Sequence, residues 1–213
     1  MTSLKNAGAF YDVLRKDRLL GPTLTQAEVD GVGTILGAAG GADWPIAWAA
    51  YALATAYHET AHTMQPIKEH GGDSYFFRMY DPKGNRPAVA ARLGNTEPGD
   101  GVKFCGRGYP QVTGRTNYAK ADKFLNLGGR LLADPDLMLD SSVAAKVMIA
   151  FMEAGSFTGR GCSSFLSGKT INSVLVHGNF WGARAIINGH DRADDIADYA
   201  VGFQAALLVG GWA

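Results

Sequence analysis

Apolar residues recur at helical spacing through both ends of the chain and lose that spacing in the middle. In residues 4–19, Phe10, Val13 and Leu14 share one face among Lys5, Asp12, Arg15 and Lys16, which predicts an amphipathic helix. Gly21-Pro22 breaks it. Thr25-Gln26-Ala27-Glu28 then reads as a capping box, with Val29, Val32, Ile35 and Leu36 as the buried stripe of a second helix, expected to end among the glycines of 37–41. Asp43 as N-cap and Pro45 in the first turn predict a third helix through Ile46, Trp48, Leu53, Ala54 and Tyr57. It is apolar nearly all round before His58, which places it at the centre of the fold.

From 63 to 114 the periodicity fails. Pro66, Pro82, Pro87, Pro98 and Pro110 alternate with glycines at 71, 72, 84, 94, 99, 101, 106 and 108. This predicts a long loop region with at most a small β-hairpin or sheet, from short segments around 75–80 and 102–111. A loop of that length inside a compact domain usually serves function. Helical spacing returns in 116–127 (Tyr118, Ala121, Phe124, Leu125), 141–154 (Val143, Val147, Phe151, Met152) and 191–209 (Ile196, Ala200, Phe203, Leu207). The expectation is a mainly α fold with a glycine-rich region across one face. With no repeat, low-complexity tract or linker, residues 1–213 read as one domain.

Composition narrows the function. The 213 residues are 46% hydrophobic, enough for a sizeable core, and 20 Lys and Arg balance 20 Asp and Glu. No overall field then draws the protein to nucleic acid or anionic lipid. The start, Met-Thr-Ser-Leu-Lys-Asn, lacks the basic-then-apolar pattern of a secretory signal, and no later apolar run approaches the roughly 18 residues that span a bilayer. Synthesis in the cytoplasm, no stable membrane insertion and a monomer are expected. Cys105 and Cys162 are too few for a disulfide scaffold or a Cys-rich metal site. They read as free or buried thiols, with a single bridge as the alternative.

Candidate chemistry concentrates in residues 56–72, A-Y-H-E-T-A-H-T-M-Q-P-I-K-E-H-G-G, which hold two glutamates and three of the five histidines. His58-Glu59-Thr60-Ala61-His62 fits the zinc-protease pattern H-E-x-x-H, which needs both histidines one turn apart on a helix, the glutamate as base and a third ligand. Glu153, His177 and His190 are the candidates for that ligand. His70 lacks the spacing of the extended motif, position 65 is Gln rather than Gly, and Pro66 stops the helix. The other chemistry is sugar hydrolysis by two carboxyls, one protonated and one ionised. Glu59 at the C-terminal end of an apolar helix sits where burial and the helix dipole disfavour charge, which suits a general acid. Glu69, in a polar loop beside Lys68 and His70, suits a base, with Glu97 as its rival.

Gly106-Arg107-Gly108-Tyr109-Pro110-Gln111-Val112-Thr113-Gly114-Arg115-Thr116-Asn117-Tyr118 closely resembles the G-R-G-P-x-Q-L-S/T-x-x-x-N-Y signature of family 19 glycoside hydrolases, chitinases that also include phage and bacterial endolysins. With His58-Glu59-Thr60, with Leu132-Ala133-Asp134-Pro135-Asp136-Leu137 and with Ile187-Asn188-Gly189, the resemblance spans about residues 44–188. It implies a lysozyme-like helical fold and inverting, cofactor- and metal-free hydrolysis of β-1,4 links between N-acetylated sugars. It further implies Glu59 as acid, Thr113 as a holder of the catalytic water, and Gln111, Asn117 and Asn188 as substrate contacts, with His58 and Tyr109 lining the same site. Glu69 follows Glu59 by ten positions, as in the compact endolysin branch rather than the plant enzymes. The chain departs from the pattern at Tyr109, which precedes Pro110, in lacking the Gly-Gly after His-Glu-Thr, and at His190, which stands where a second glycine follows Asn188-Gly189.

Tyr75, Phe76, Phe77, Tyr80 and Trp181 are candidates for stacking on sugar rings or for the core. Arg78, Arg86, Arg92, Lys103, Arg107 and Arg115 make the loop region locally basic, which suits a wall polymer bearing carboxylates. The expectation is a peptidoglycan-degrading endolysin acting on glycan strands, reaching the cell wall after release through a separate membrane-permeabilising protein. A chitinase acting on chitin-like polymers, an H-E-x-x-H zinc peptidase and a non-catalytic wall-binding protein are the alternatives.

Overall fold

The computed structural model describes residues 1–21, 23–166 and 179–213, with 170–171 and 174–175 described as backbone. In chain order its helices are α1 (Ala7–Lys16), α2 (Gln26–Gly41), α3 (Ile46–Glu59), α4 (Asp73–Tyr80), α5 (Pro87–Leu93), α6 (Asp100–Lys103), α7 (Arg115–Phe124), α8 (Arg130–Ala133), α9 (Ser141–Ala154), α10 (Phe180–Ala183) and α11 (Ala193–Val209). β1 (Ile67–Lys68) pairs antiparallel with β2 (Arg107–Gly108), Ile67 opposite Gly108 and Lys68 opposite Arg107. β3 (Thr170–Ile171) pairs likewise with β4 (Val174–Leu175). The mainly α class read from the sequence is the class observed. Among the described residues, no helix is long and apolar enough to cross a membrane.

Packing divides the chain into two compact units, Met1–Gln65 with Met148–Ala213, and Pro66–Val147. In the first, α3 is the central helix: Ala47 and every residue from 49 to 57 are buried. Its many alanines let α11 pack close along it, through Ile196, Ala200, Phe203 and Leu207. Each large side chain buried in this way contributes about 1.5–3 kcal/mol. The capping box is present: Thr25 Oγ1 accepts from Glu28 N, and Glu28 Oε2 accepts from Thr25 N at 2.7 Å. α2 ends at Gly41, within the glycine cluster expected to end it. One local expectation is corrected. Asp43 does not cap α3. It lies at φ 51, and its carboxylate accepts from Thr2 N and pairs with the amino terminus, while Pro45 occupies the N-cap.

The second unit holds the stretch expected to be loop. The segment around 75–80, read as β, is the helix α4, with Asp73 in its first turn and Arg78 in its last, where each complements the helix dipole. Pro87 opens α5 and Gly94, at φ 70, closes it. These residues are helix-end signals rather than loop punctuation. Buried side chains satisfy the backbone between the short elements. Asp81 accepts from the N–H groups of Lys83, Gly99 and Gly101, and Asp122 from those of Gly129 and Leu131. Arg107, only 4% exposed, donates to Asp136, Tyr118 and the carbonyls of Lys103 and Cys105. Asp100 accepts from Arg115 Nε and from the N–H groups of Thr96 and Glu97. Of the basic residues expected on the surface, Arg107 and Arg115 are therefore tied into the structure, while Arg78, Arg86, Arg92 and Lys103 are exposed.

Candidate active site

In the first unit the helix and its exit decide the geometry. Glu59 is the last residue of α3. The fully buried Thr60 follows, its Oγ1 donating to Ala56 O at 2.7 Å and accepting from Met64 N at 3.1 Å, which folds the chain back against the helix end. Ala61, His62 and Met64 all take positive φ, at 51°, 69° and 55°. His62 therefore lies beyond the helix, exposed, stacked on Tyr57 with ring centroids 4.4 Å apart. The one-turn spacing of His58 and His62 required for a zinc site is absent because the helix ends between them. Of the third-ligand candidates, Glu153 accepts from Trp44 Nε1, His190 stacks on Trp181, and His177 lies outside the described residues. Among the described residues no three His, Cys, Asp or Glu side chains are grouped as a metal ion needs.

Glu59 is 17% exposed, and its Oε1 accepts from Arg184 Nη1 at 2.6 Å. Arg184 is 2% exposed and is oriented by a second bond, Nε to Asp191 O at 2.8 Å. The expectation of a carboxyl held only by burial and a helix C-terminus is thus corrected, since a buried cation stands against it. Arg184 escaped the sequence reading, although a single charge inside Phe180-Trp181-Gly182-Ala183-Arg184-Ala185-Ile186 is a signal of a buried, partnered cation. His58 is half-buried, and burial pushes its imidazole below the ordinary histidine range. Glu59 pulls the other way, while Arg184, Arg192 and His62 reinforce burial. Asn188 is exposed, on the turn where its N–H donates to Arg184 O.

In the second unit, Glu69 follows β1, and its N–H continues the pairing by donating to Gly106 O at 2.8 Å. Both carboxylate oxygens are held, Oε1 by Tyr80 Oη at 2.8 Å and Oε2 by Gly106 N at 3.1 Å. Burial, then the hydrogen bond and charge of Glu69, push the Tyr80 phenol above its ordinary range, so it acts as a donor. Gln111, at φ 53, donates through Nε2 to Ile67 O and Gly108 O, which leaves its Oε1 turned to Gly106. A Cβ on Gly106 would lie 2.9 Å from Gln111 Oε1, 3.0 Å from Glu69 Oε2 and 3.2 Å from Thr113 Oγ1. A Cβ there would be crowded, because a carboxylate, an amide oxygen and a hydroxyl converge on that point.

Thr113 Oγ1 donates to Gln111 O, and Asn117 Nδ2 donates to Thr113 O, each at 2.9 Å. Glu69, Gln111 and Thr113 are thus brought together, with Asn117 bracing them. Tyr109, expected to line the site, is fully buried and has no face to offer a substrate. The rival base Glu97 is exposed, its backbone N–H bonded to Asp100. Of the aromatic candidates, Phe76 is core, Tyr80 serves Glu69, and Phe77 and Trp181 are 40% and 46% exposed. Phe77 lines an open depression of about 400 Å³ with Asp73, Ser74, Arg78 and Val102, none of them a predicted catalytic or substrate-binding residue.

No family model matches the sequence, and no curated protein does. Among solved structures, chitinase C from Streptomyces griseus HUT6037 is 22% identical, over 93% of this chain and 82% of that one, with a TM-score of 0.49. A mutant of chitinase C gives 22% identity over the same shares and a TM-score of 0.45. A bacterial family 19 chitinase gives 21% identity over 92% and 84%, with a TM-score of 0.42. Identities this low and superpositions this loose leave the chemistry to this chain's own residues.

Proposed function

We propose that the protein hydrolyses β-1,4 glycosidic bonds between N-acetylated amino sugars, with inversion, and that its substrate is the glycan strand of peptidoglycan. The observation that carries this reading is the convergence of Glu69 Oε2, Thr113 Oγ1 and Gln111 Oε1 about the glycine Gly106. Such a group can hold one water beside a base, which an inverting glycosidase requires. The sequence motif that supplies Gly106, Gln111 and Thr113 also resembles the family 19 signature. Glu69 takes a proton from the water as its oxygen attacks the anomeric carbon. Glu59 gives a proton to the departing glycosidic oxygen, leaving a new hydroxyl on one product and an inverted hemiacetal on the other. Arg184 occupies Oε1 of Glu59, which leaves Oε2 as the oxygen available for the transfer. After transfer the guanidinium faces the carboxylate that remains. The exposed cations Arg78, Arg86, Arg92 and Lys103 favour a polymer bearing carboxylates over neutral chitin.

The test is digestion of purified peptidoglycan with and without EDTA, reading reducing ends and new amino termini together, with chitin in parallel. Reducing ends insensitive to EDTA are expected. EDTA-sensitive amino termini would instead mean a peptidase, and faster turnover of chitin would move the substrate. Glu59→Gln and Glu69→Gln should each lower kcat by at least about 100-fold, the contribution typical of a general acid or base, with the fold retained. If Glu97→Gln is the inactive variant instead, the base is wrongly assigned.

A further inference from the structure

Trp181 is the largest exposed apolar side chain among the described residues, and its ring is stacked on a neighbour. The His190 ring lies against it, nearly parallel at 15° with centroids 4.5 Å apart, while 46% of the residue remains open to solvent. The segment between them is closed at its base by Arg184, whose Nε bonds Asp191 O and whose Nη1 bonds Glu59. Two further backbone bonds run to Arg184 O, from the N–H groups of Ile187 and Asn188. Asn179 Oδ1 accepts from Gly182 N and sets the first turn of α10. The ring pair therefore stands on a braced turn that also carries the exposed Asn188. A half-exposed ring backed by a second ring offers one flat apolar face to solvent, and the backing ring lowers the rotational freedom that binding would have to freeze.

We propose that Trp181, backed by His190, is a sugar-stacking platform, a binding subsite that takes the apolar face of one pyranose ring of the glycan. This rests on the glycan reading above and extends it to a residue outside the acid and base. The pattern this chain resembles has glycine where His190 stands, so that pattern does not supply the backing ring. A flat aromatic face suits a sugar ring because it buries the axial C–H groups while leaving the equatorial hydroxyl and acetamido groups at the rim, within reach of polar side chains. Aromatic stacking of this kind costs roughly tenfold or more in affinity when the ring is truncated, by analogy with stacked nucleobases.

The test uses the full chain carrying Glu59→Gln, so that ligand is bound and not consumed, titrated calorimetrically with tetra-N-acetylchitotetraose and with purified peptidoglycan glycan strands. Adding Trp181→Ala should weaken binding about tenfold, Trp181→Phe should keep it within about threefold, and His190→Gly should weaken it by about threefold. The ligand-induced change in tryptophan emission should disappear in Trp181→Phe even though affinity is kept, a readout that a purely structural role would not move. Equal melting temperatures exclude unfolding as the cause. Unchanged affinity in both Trp181→Ala and His190→Gly, against a parent that binds, overturns the platform and leaves the glycosidase reading standing. A parent that binds neither saccharide, from a wild-type protein that releases no reducing ends, overturns both.

Discussion

Glu59 and Glu69 differ in their partners. Among the described residues Glu59 has a buried guanidinium on one oxygen, whereas Glu69 has a donor on each oxygen. Tyr80 supplies one of those two donors, on the group proposed as the base. Tyr80→Phe removes the donor to Oε1 and is expected to reduce kcat/KM by about tenfold. Denaturant titration should find a stability cost of only about 1 kcal/mol. An unchanged kcat/KM would remove Tyr80 from the role of holding the proposed base. Glu69 was legible from its polar neighbours. Tyr80 was visible only as one aromatic among five, because nothing local marks which phenol meets a carboxylate eleven positions away.

At the scale of elements, glycines decide how close two backbones come. Gly31 on α2 lies against the Met64 carbonyl, where a Cβ would overlap the oxygen, and this holds the exit of α3 close to α2. Gly106 does the same for three side chains. Gly106→Ala is expected to push Glu69, Gln111 and Thr113 apart and to lower kcat by at least tenfold, with far-ultraviolet circular dichroism unchanged because β2 and α7 do not depend on the missing space. Full activity in that variant would show that the convergence has no catalytic part. The capping box, α9 and most of α11 were readable in advance, since capping and helical spacing act between residues three or four apart. α4, α5 and α6 were not, because their prolines and glycines carry the same local signal whether they interrupt a loop or bound a short helix. Length decides between the two, and tertiary packing sets the length.

At the scale of the molecule, zero net charge makes specific buried carboxylates, rather than overall repulsion, the first features to respond to acid. Burial raises the Asp100 carboxyl, but Arg115 and the N–H groups of Glu97 and Thr96 outweigh it and hold the group below the ordinary aspartate range. A carboxyl depressed in the folded state binds fewer protons there than in the unfolded chain. Its stabilisation is therefore complete above the unfolded value, about 3.9, and is lost as pH falls through the lower folded value. Asp100→Asn should cost about 2 kcal/mol at neutral pH and flatten the fall in stability below pH 4, measured as urea midpoints across that range. An acid limb as steep as that of the parent would exclude Asp100 from it. The sequence alone determined that the chain is mainly helical, where its long helices run, and that Glu59 ends an apolar helix while Glu69 follows in a polar turn, because these depend on interactions within a few residues. Only the tertiary structure decided that Arg184 meets Glu59 from 125 positions away, that Tyr80 holds Glu69, that Tyr109 is core, and that His62 leaves the helix. The physical reason is the same in each case. Which distant side chain fills a buried space or satisfies a buried charge is settled by packing, and no local pattern carries it.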